Sequence, residues 1–434
     1  MSTVSYVKLN SCRHVAGSLM LAFAAAELGV QVLRPRGRPI APAGIELEHY
    51  FSAAEIERGA RFARPQLALG LARGAIELGV LGAATAAAGR MPQSVTKRPV
   101  LGGALTGVAL SSATTLAPLP LAALSRRRAI AVGLVTQSWR GWAIDLVKAN
   151  AIGTGLAAAG GGLAVAVTRR YPRGWWAPVG GGSVVVGAVF AALAPVVLAP
   201  IFNDFTPLPE GETRSDMLEL ADAAGVKVGE VYSVDASRRT TAANAYVTGL
   251  GPTKRVVLFD TLLSRYSRDE VRVVVAHELA HVRYRDVLRG VAYAAIIAGP
   301  AALAVQRLSW ALSGEQGTPG SVAPLALAAA LVGGPTGMIG NRLSRALERR
   351  ADHYSLELSK APEAFVSFER RIAVQNVADL RPPATLTALL ATHPPTAERI
   401  GAAVAWSRLH GDADASRNGA GRLGASAAGG VSLG

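Results

Sequence analysis

Cysteine, charge and aromatic residues are all scarce in this 434-residue chain. The single cysteine, Cys12, excludes an intrachain disulfide framework and a metal cage built from thiolates. Charged residues make up only 17% and hydrophobic residues 50%, which excludes a disordered protein and argues against an ordinary soluble domain. Aromatic residues reach 6%, whereas glycine and alanine are abundant, and small residues suit helices that pack closely in lipid.

The apolar residues come in runs long enough to cross a bilayer, which takes about 20 residues in a helix. Seven runs qualify, and they are Val15–Leu33, Pro65–Gly89, Val100–Leu124, Ala149–Thr168, Ala177–Phe202, Gly290–Leu312 and Gln316–Asn341. The net charge of +15 then fits basic membrane loops, and we expect no nucleic-acid partner. The sequence predicts a mainly α-helical fold with a bundle of seven transmembrane helices.

Basic residues are concentrated in alternate loops, including 203–289 and the segment after Asn341. The positive-inside rule therefore predicts an external N-terminus and a cytoplasmic C-terminus, with 203–289 and 342–434 on the cytoplasmic side. Arginine and tryptophan interrupt residues 125–148, which is typical of an amphipathic helix at the membrane surface. The aperiodic small and polar residues of 411–434 predict a disordered tail.

Two charged residues of the second run, Arg73 and Glu77, are four positions apart and therefore share one helix face. One interpretation is that they line an internal polar cavity, since ionisable side chains inside a membrane commonly face water. The other is a structural ion pair within the bundle. The sequence leaves both interpretations open.

The long segment 203–289 has the pattern of a small α/β unit. Helical spacing predicts a helix over Thr213–Gly225. Three strand-like runs follow it, namely Val226–Asp235, Ala243–Thr248 and Arg255–Phe259. Glycine and proline in 249–252 separate the last two strands and predict a β-hairpin. Ser267 followed by Glu270 is a capping-box pattern, which predicts that a helix begins there.

That predicted helix carries the sequence His277-Glu278-Leu279-Ala280-His281. Histidines at i and i+4 face the same way, so both imidazoles can reach one metal ion at about 2.0–2.1 Å. Zinc lowers the pKa of water towards about 7, and Glu278 can accept the released proton and pass one to the leaving amine. The competing interpretation is chance, although the chain has only seven histidines.

A catalytic zinc site needs a third protein ligand and an open position. Glu348 is the strongest candidate, and Asp352 lies on the same helix face, where it can orient a ligand imidazole. The competing interpretation is a solvated acidic pair that compensates neighbouring arginines. His393 and Arg399 can stabilise an oxyanion or hold a substrate carboxylate, although this His-Pro-Pro segment taken alone favours a simple helix start.

Together these motifs resemble the type 1 CAAX prenyl endopeptidases, which are integral-membrane zinc metallopeptidases. The resemblance is densest between Phe202 and Ile400, and its motifs follow one order: FNDFTPL at 202–208, NAY at 244–246, LFDTLL at 258–263, HELAH, the Glu348 and Asp352 pair, and HPP with Arg399. It implies a helical barrel around a water-filled chamber, with one zinc ion per chain near the cytoplasmic side.

The resemblance also implies roles for individual residues. His277, His281 and Glu348 would bind zinc, and Glu278 would act as general base and acid. Asp352 would orient a ligand, and Asn244 and Ala245 would bind substrate on an edge strand. His393 and Arg399 would contact the transition state or the substrate.

We therefore predict a multi-pass zinc endopeptidase of a bacterial cell membrane, which cleaves membrane-associated or lipid-modified proteins and is surrounded by membrane lipids. The alternatives are an HtpX-like quality-control protease and a non-catalytic metal-binding membrane protein. The predicted division of the chain is five spans in 1–202, a catalytic insertion in 203–289, two spans in 290–341, the third ligand and His-Pro-Pro segment in 342–410, and the tail in 411–434.

Overall fold

The computed structural model describes residues 3–37, 39–249 and 254–426. The described residues form sixteen α-helices and four strands. The helices are α1 (Thr3–Leu33), α2 (Ala53–Ala86), α3 (Gln93–Thr96), α4 (Pro99–Leu116), α5 (Leu119–Ala131), α6 (Trp139–Arg170), α7 (Trp176–Val197), α8 (Ala199–Phe202), α9 (Glu212–Ala223), α10 (Asp260–Arg265), α11 (Arg268–Arg283), α12 (Asp286–Ser313), α13 (Val322–Ser359), α14 (Pro362–Gln375), α15 (Ala384–Leu390) and α16 (Thr396–Ser426). The strands are β1 (Phe205–Pro207), β2 (Glu230–Val234), β3 (Ala245–Thr248) and β4 (Arg255–Phe259).

Seven helical segments of the described chain are long and apolar enough to cross a membrane. They are Cys12–Leu33, Ala53–Ala86, Pro99–Leu116, Trp139–Arg170, Trp176–Phe202, Asp286–Ser313 and Pro319–Ser359. Each overlaps one of the seven predicted runs, so the predicted seven-span bundle is confirmed. The protein is an integral multi-pass membrane protein.

The third predicted run, Val100–Leu124, is wrong at its C-terminal end because the helix is broken inside it. α4 ends at Leu116 and α5 begins at Leu119, with Pro118 at the junction. Proline has no N–H to donate, and its ring clashes with the preceding turn, so a continuous helix is disfavoured there.

The single surface helix predicted for 125–148 is also wrong, because a turn divides this segment. α5 ends at Ala131, and α6 begins at Trp139 and continues into a span. Gly133 has a positive φ of 82° in the turn, which glycine adopts without steric cost. The Ser138 side chain then accepts a hydrogen bond from the Gly141 N–H and caps α6.

Glycine allows α4 and α6 to pack backbone against backbone. A Cβ placed on Gly161 would lie only 2.2 Å from the carbonyl oxygen of Gly103. A Cβ on Gly107 would lie 2.1 Å from the carbonyl oxygen of Ala157. Any side chain at these positions would push the helices apart, so the abundance of glycine serves close helix packing in the bundle.

A polar cavity of about 610 Å³ lies between α2, α4, α5 and α6. Arg73 and Glu77 both line it, together with Thr114, Arg126 and Trp142. Within the described residues Arg73 and Glu77 form no ion pair, and the buried Nε of Arg73 has no hydrogen-bond partner. The structure therefore favours the cavity-lining interpretation of these two residues over the ion pair.

The four strands form one sheet in the order β1-β2-β4-β3. β2 and β4 are parallel, while β1 pairs antiparallel with β2 and β3 pairs antiparallel with β4. The predicted hairpin of β3 and β4 is thus confirmed, although residues 250–252 of its predicted turn lie outside the described residues. β1 is a strand that the sequence analysis did not predict, and β3 is an edge strand.

The core beside the sheet joins two segments that the sequence analysis treated separately. Met217 of α9, Leu258 of β4 and Val275 of α11 belong to one buried cluster, and Phe368 of α14 completes it. The insertion 203–289 therefore shares its hydrophobic core with the C-terminal segment. This shared core holds α11 and the helices after the last span in one unit.

α13 continues from the seventh span without interruption and carries Glu348, as predicted. Its 38 residues correspond to about 57 Å of helix, although Pro335 lies within it. The final helix, α16, continues to Ser426, so helix replaces the predicted disorder over 411–426. Residues 427–434 of the predicted tail lie outside the described residues.

Candidate metal centre

α11 begins at the predicted capping box. The Ser267 Oγ accepts a hydrogen bond from the Glu270 N–H at 3.3 Å, and a Glu270 carboxylate oxygen accepts one from the Ser267 N–H at 2.8 Å. Glu270 is buried and also accepts hydrogen bonds from Ser367 and Arg371 of α14. The start of α11 is therefore fixed against α14, and the histidines follow at set positions along it.

His277 and His281 lie one helical turn apart on α11, and Glu348 reaches them from α13. The Nε2 atoms of the two histidines are 3.2 Å apart. His277 Nε2 lies 3.2 Å and His281 Nε2 lies 3.5 Å from the Glu348 carboxylate. Ser355 of α13 donates a hydrogen bond to the carbonyl oxygen of Val273 at 2.7 Å, which fixes the register between the two helices.

The chemistry of these residues fits a bound cation. One ligand atom from each of His277, His281 and Glu348 can be chosen so that all lie within 4.8 Å of one another. Glu348 Oε2 is buried and has no hydrogen-bond partner among the described residues. Burial alone lowers the pKa of His277, but the carboxylates of Asp352 and Glu348 outweigh it and raise that pKa to about 10. The site therefore attracts positive charge strongly.

Asp352 and Arg399 form an ionic network behind His277. Asp352 lies 2.9 Å from the Nδ1 atom of His277, which leaves Nε2 directed at Glu348. The guanidinium of Arg399 donates hydrogen bonds to both Asp352 oxygens, and its Nη1 forms an ion pair with Glu369 at 2.6 Å. Burial raises the pKa of Glu369 to about 7, although Arg399 opposes this shift. All three guanidinium nitrogens of Arg399 thus already have carboxylate partners.

Asp286 holds the second histidine in the same manner. Its carboxylate lies 2.9 Å from His281 Nδ1 and also pairs with Arg350 of α13. The sequence analysis missed Asp286, Arg350 and Glu369. The available signal for Asp286 was its place as the first acidic residue after His281, whereas Glu369 lies on another helix and carries no local signal.

A cleft of about 330 Å³ opens beside the histidines, and Asn244, Glu278, His393 and Arg399 all line it. Glu278 is half-buried, and its burial raises its pKa. His393 is largely exposed, and its Nε2 lies 3.4 Å from Glu348. The structure therefore brings Asn244, Glu278, His393 and Arg399 together around one cleft that His277 also lines.

Asn244 precedes the edge strand β3. Its carbonyl oxygen accepts a hydrogen bond from the Phe259 N–H of β4, and its side-chain oxygen accepts one from the Ala245 N–H, both at 3.0 Å. Ala245 is opposite Leu258 in the antiparallel register. Since hydrogen-bonded and non-hydrogen-bonded pairs alternate, the backbone N–H and C=O of Ala245 point away from β4, but the N–H is already bonded to the Asn244 side chain and Ala245 is only 2% exposed.

The fold and the site define a membrane-embedded metallopeptidase. The family model described as peptidase family M48 matches residues 207–407. A Bacillus subtilis protein named uncharacterized metalloprotease YhfN is 30% identical over 305 residues, which cover 67% of this chain and 70% of that protein. The chain belongs to peptidase family M48. It is a metalloendopeptidase: it has a metal cofactor and acts on peptide or protein substrates. The alternative of a non-catalytic metal-binding membrane protein is therefore set aside.

Other similarities support the predicted resemblance. CAAX prenyl protease 1 of Saccharomyces cerevisiae is 40% identical over 110 residues, or 25% of this chain and 24% of that protein. A probable CAAX prenyl protease 1 of Schizosaccharomyces pombe is 34% identical over 138 residues, or 32% and 29%. The chain thus aligns with less than a third of the length of these two relatives.

A solved structure shares the fold over nearly the whole chain. S. mikatae Ste24p superposes with a TM-score of 0.71 at 20% sequence identity, covering 91% of this chain and 98% of that one. The predicted fold, a helical membrane bundle that encloses a chamber, is confirmed by this similarity.

Proposed function

We propose that the metal is zinc, with one ion per chain bound by His277, His281 and Glu348. Ligand atoms about 2.0–2.1 Å from a tetrahedral zinc ion lie roughly 3.3 Å from one another. The two Nε2 atoms are 3.2 Å apart, His277 Nε2 lies 3.2 Å from Glu348 Oε2, and His281 Nε2 lies 3.5 Å from the other carboxylate oxygen, Oε1. This convergence of three ligand residues is the observation that carries the proposal. The cleft beside the histidines offers space for water and substrate at the fourth position.

Zinc supplies a Lewis acid that lowers the pKa of water to about 7. Glu278, in the same cleft, accepts a proton from the attacking water and transfers one to the leaving amine. His393, exposed beside Glu348, donates a hydrogen bond to the substrate carbonyl oxygen as negative charge develops on it. Arg399 acts by holding Asp352 against His277, because its own donors are occupied.

The substrate chain binds along the open edge of β3. β3 is an edge strand of the sheet, the carbonyl oxygen of Ala245 points away from β4, and Asn244 at the start of the strand lines the cleft. Adding a strand to an exposed sheet edge is a common mode of peptide binding, and it holds the peptide extended for hydrolysis. The substrates in this proposal are membrane-associated or lipid-modified proteins, and the similarity to two relatives named CAAX prenyl proteases supports this choice.

The same proposal places the protein in a bacterial cell membrane with the metal centre on the cytoplasmic side. The basic loops of the chain support this orientation through the positive-inside rule. We keep the four-part division of residues 1–410 as part of the proposal, with the catalytic insertion at 203–289 and the third ligand in 342–410.

Hydrolysis of lipidated CAAX-type peptides by purified protein tests this function. We expect wild-type protein to release a single C-terminal fragment, detected by mass spectrometry, and Glu278→Gln to lose about 10²–10⁴-fold in rate. Metal content measured in the same samples is expected to be unchanged by Glu278→Gln. Equal rates in the two proteins would refute the assigned base.

A quality-control protease with loose sequence preference is the second candidate. The alignment with the S. cerevisiae CAAX protease covers only 25% of this chain and 24% of that protein, which leaves a broader substrate range open. Scattered internal cuts in unfolded membrane proteins, with no preference for a lipidated C-terminus, would select this candidate over the first.

A further inference from the structure

A second large cleft lies near the metal centre but on the other side of α13. It has a volume of about 730 Å³ and opens between the end of α1, the start of α12 and the C-terminal half of α13. Five arginines line it, and we name it the basic cleft: Arg34, Arg36, Arg289, Arg349 and Arg350. No acidic side chain is among its lining residues within the described chain.

The positive charge of the basic cleft is only partly compensated. Asp286 pairs with Arg350 and lies 3.6 Å from Arg289, and Glu398 pairs with Arg349 at 2.5 Å. Arg34 and Arg36 are exposed and form no salt bridge within the described residues, although Glu27 interacts electrostatically with Arg34. Even with Glu27 counted beside Asp286 and Glu398, the five arginines leave an excess of positive charge.

Two nitrogen atoms of the basic cleft are buried without partners. Within the described part of the chain, neither Arg350 Nε nor His353 Nδ1 has a hydrogen-bond partner. Both residues line the cleft. A buried polar atom without a partner is costly, and both residues carry such an atom at the wall of the cleft.

Exposed apolar side chains border the basic cleft. Leu28 and Val32 of α1 are 57% and 58% exposed, and Val287 and Leu288 of α12 are 68% and 59% exposed. These residues lie at the ends of membrane-spanning segments, next to Arg34 and Arg289 in sequence. Apolar side chains that face outward beside arginines mark the boundary between the hydrocarbon and headgroup layers.

We propose that the basic cleft binds the phosphate of an anionic phospholipid headgroup. Arginine is well suited to phosphate, and the flanking apolar surface accommodates the acyl chains, which a soluble phosphate lacks. Basic pockets between membrane helices bind anionic headgroups through this combination. The bound headgroup joins the ends of α1, α12 and α13 beside Asp286, which in turn holds His281.

Native mass spectrometry of the delipidated full-length protein tests the proposal with defined lipids. The probes are phosphatidylglycerol, phosphatidylcholine and inorganic phosphate alone. We expect selective retention of phosphatidylglycerol by wild-type protein. Removing one arginine near a headgroup costs roughly fivefold in affinity, so the double variant Arg34→Gln/Arg36→Gln is expected to bind about 25-fold more weakly.

The matched control is Arg140→Gln/Arg408→Gln, which removes the same charge from two exposed arginines outside the basic cleft. We expect the control to retain phosphatidylglycerol as wild-type protein does. Equal weakening in both double variants would overturn the proposal, because general electrostatic attraction would then explain the binding. Equal retention of phosphatidylcholine, or saturable binding of inorganic phosphate without any lipid preference, would also overturn it.

Discussion

Replacing Asp286 by asparagine tests whether the carboxylate behind His281 contributes to metal binding. Asp286 is 8% exposed, and its oxygen lies 2.9 Å from His281 Nδ1. An asparagine oxygen can still accept that hydrogen bond, so the shape of the site is kept while the negative charge is removed. The loss of a partner that orients a ligand histidine typically weakens metal affinity by about 10–100-fold, or roughly 1.4–2.7 kcal/mol.

The assay is a competition titration of the purified protein against a zinc chelator of known affinity. The matched control is Asp216→Asn, because Asp216 is also buried and paired with arginines but contacts neither histidine. We expect the control to bind zinc as tightly as wild-type protein. Thermal unfolding of the metal-free variants shows whether either protein is misfolded. Unchanged zinc affinity in a folded Asp286→Asn protein would refute the reasoning.

Three further predictions concern the metal and the packing of the fold. His277→Ala is expected to purify with far less than one zinc per chain by elemental analysis, and full occupancy would contradict the ligand set. Chelation of zinc is expected to abolish hydrolysis and lower the melting temperature, because a ligand at about 100 times its Kd adds about 2.7 kcal/mol to the free energy of unfolding. An unchanged melting temperature would argue against a tight site. Gly59→Ala is expected to destabilise the protein by about 1–3 kcal/mol, because its Cβ would lie 2.0 Å from the carbonyl oxygen of Ala378. Gly79→Ala, which has open space around it, is expected to be neutral or stabilising in the same unfolding assay.

Helical periodicity explains why part of the site was predictable. The spacing of His277 and His281, and that of Glu348 and Asp352, follows from 3.6 residues per turn and needs no tertiary information. The approach of α13 to α11 depends on tertiary packing, including the hydrogen bond from Ser355, and only the family resemblance indicated it.

The residues that the sequence analysis missed lie where the chain changes direction. Arg285 adopts a left-handed conformation with φ 54°, which ends α11 and begins α12 with Asp286 turned back towards His281. Such a conformation is uncommon for a residue other than glycine, so the local sequence does not predict it. Glu369 reaches Arg399 from α14, a contact between distant segments that no local pattern encodes.

The positions of the membrane spans were predictable from the sequence, but the residues at which the helices begin and end were less predictable. Apolar length and composition identify them because the hydrocarbon layer imposes both. The break at Pro118 and the turn at Gly133 depend on backbone conformation, which a count of apolar residues does not register. The shared hydrophobic core that includes Phe368 was likewise not predictable from the sequence, because it joins the insertion 203–289 to α14, and two membrane spans separate them in the chain.

The continuous course of α13 has a mechanical consequence. Glu348 lies about 39 Å along this helix from Val322, with no loop in between. A tilt of this helix imposed by a thinner or thicker bilayer is therefore transmitted to the Glu348 carboxylate. Because the Ser355 hydrogen bond ties α13 to α11, the two imidazoles follow the same movement, and the ligand set is displaced as one body relative to the membrane.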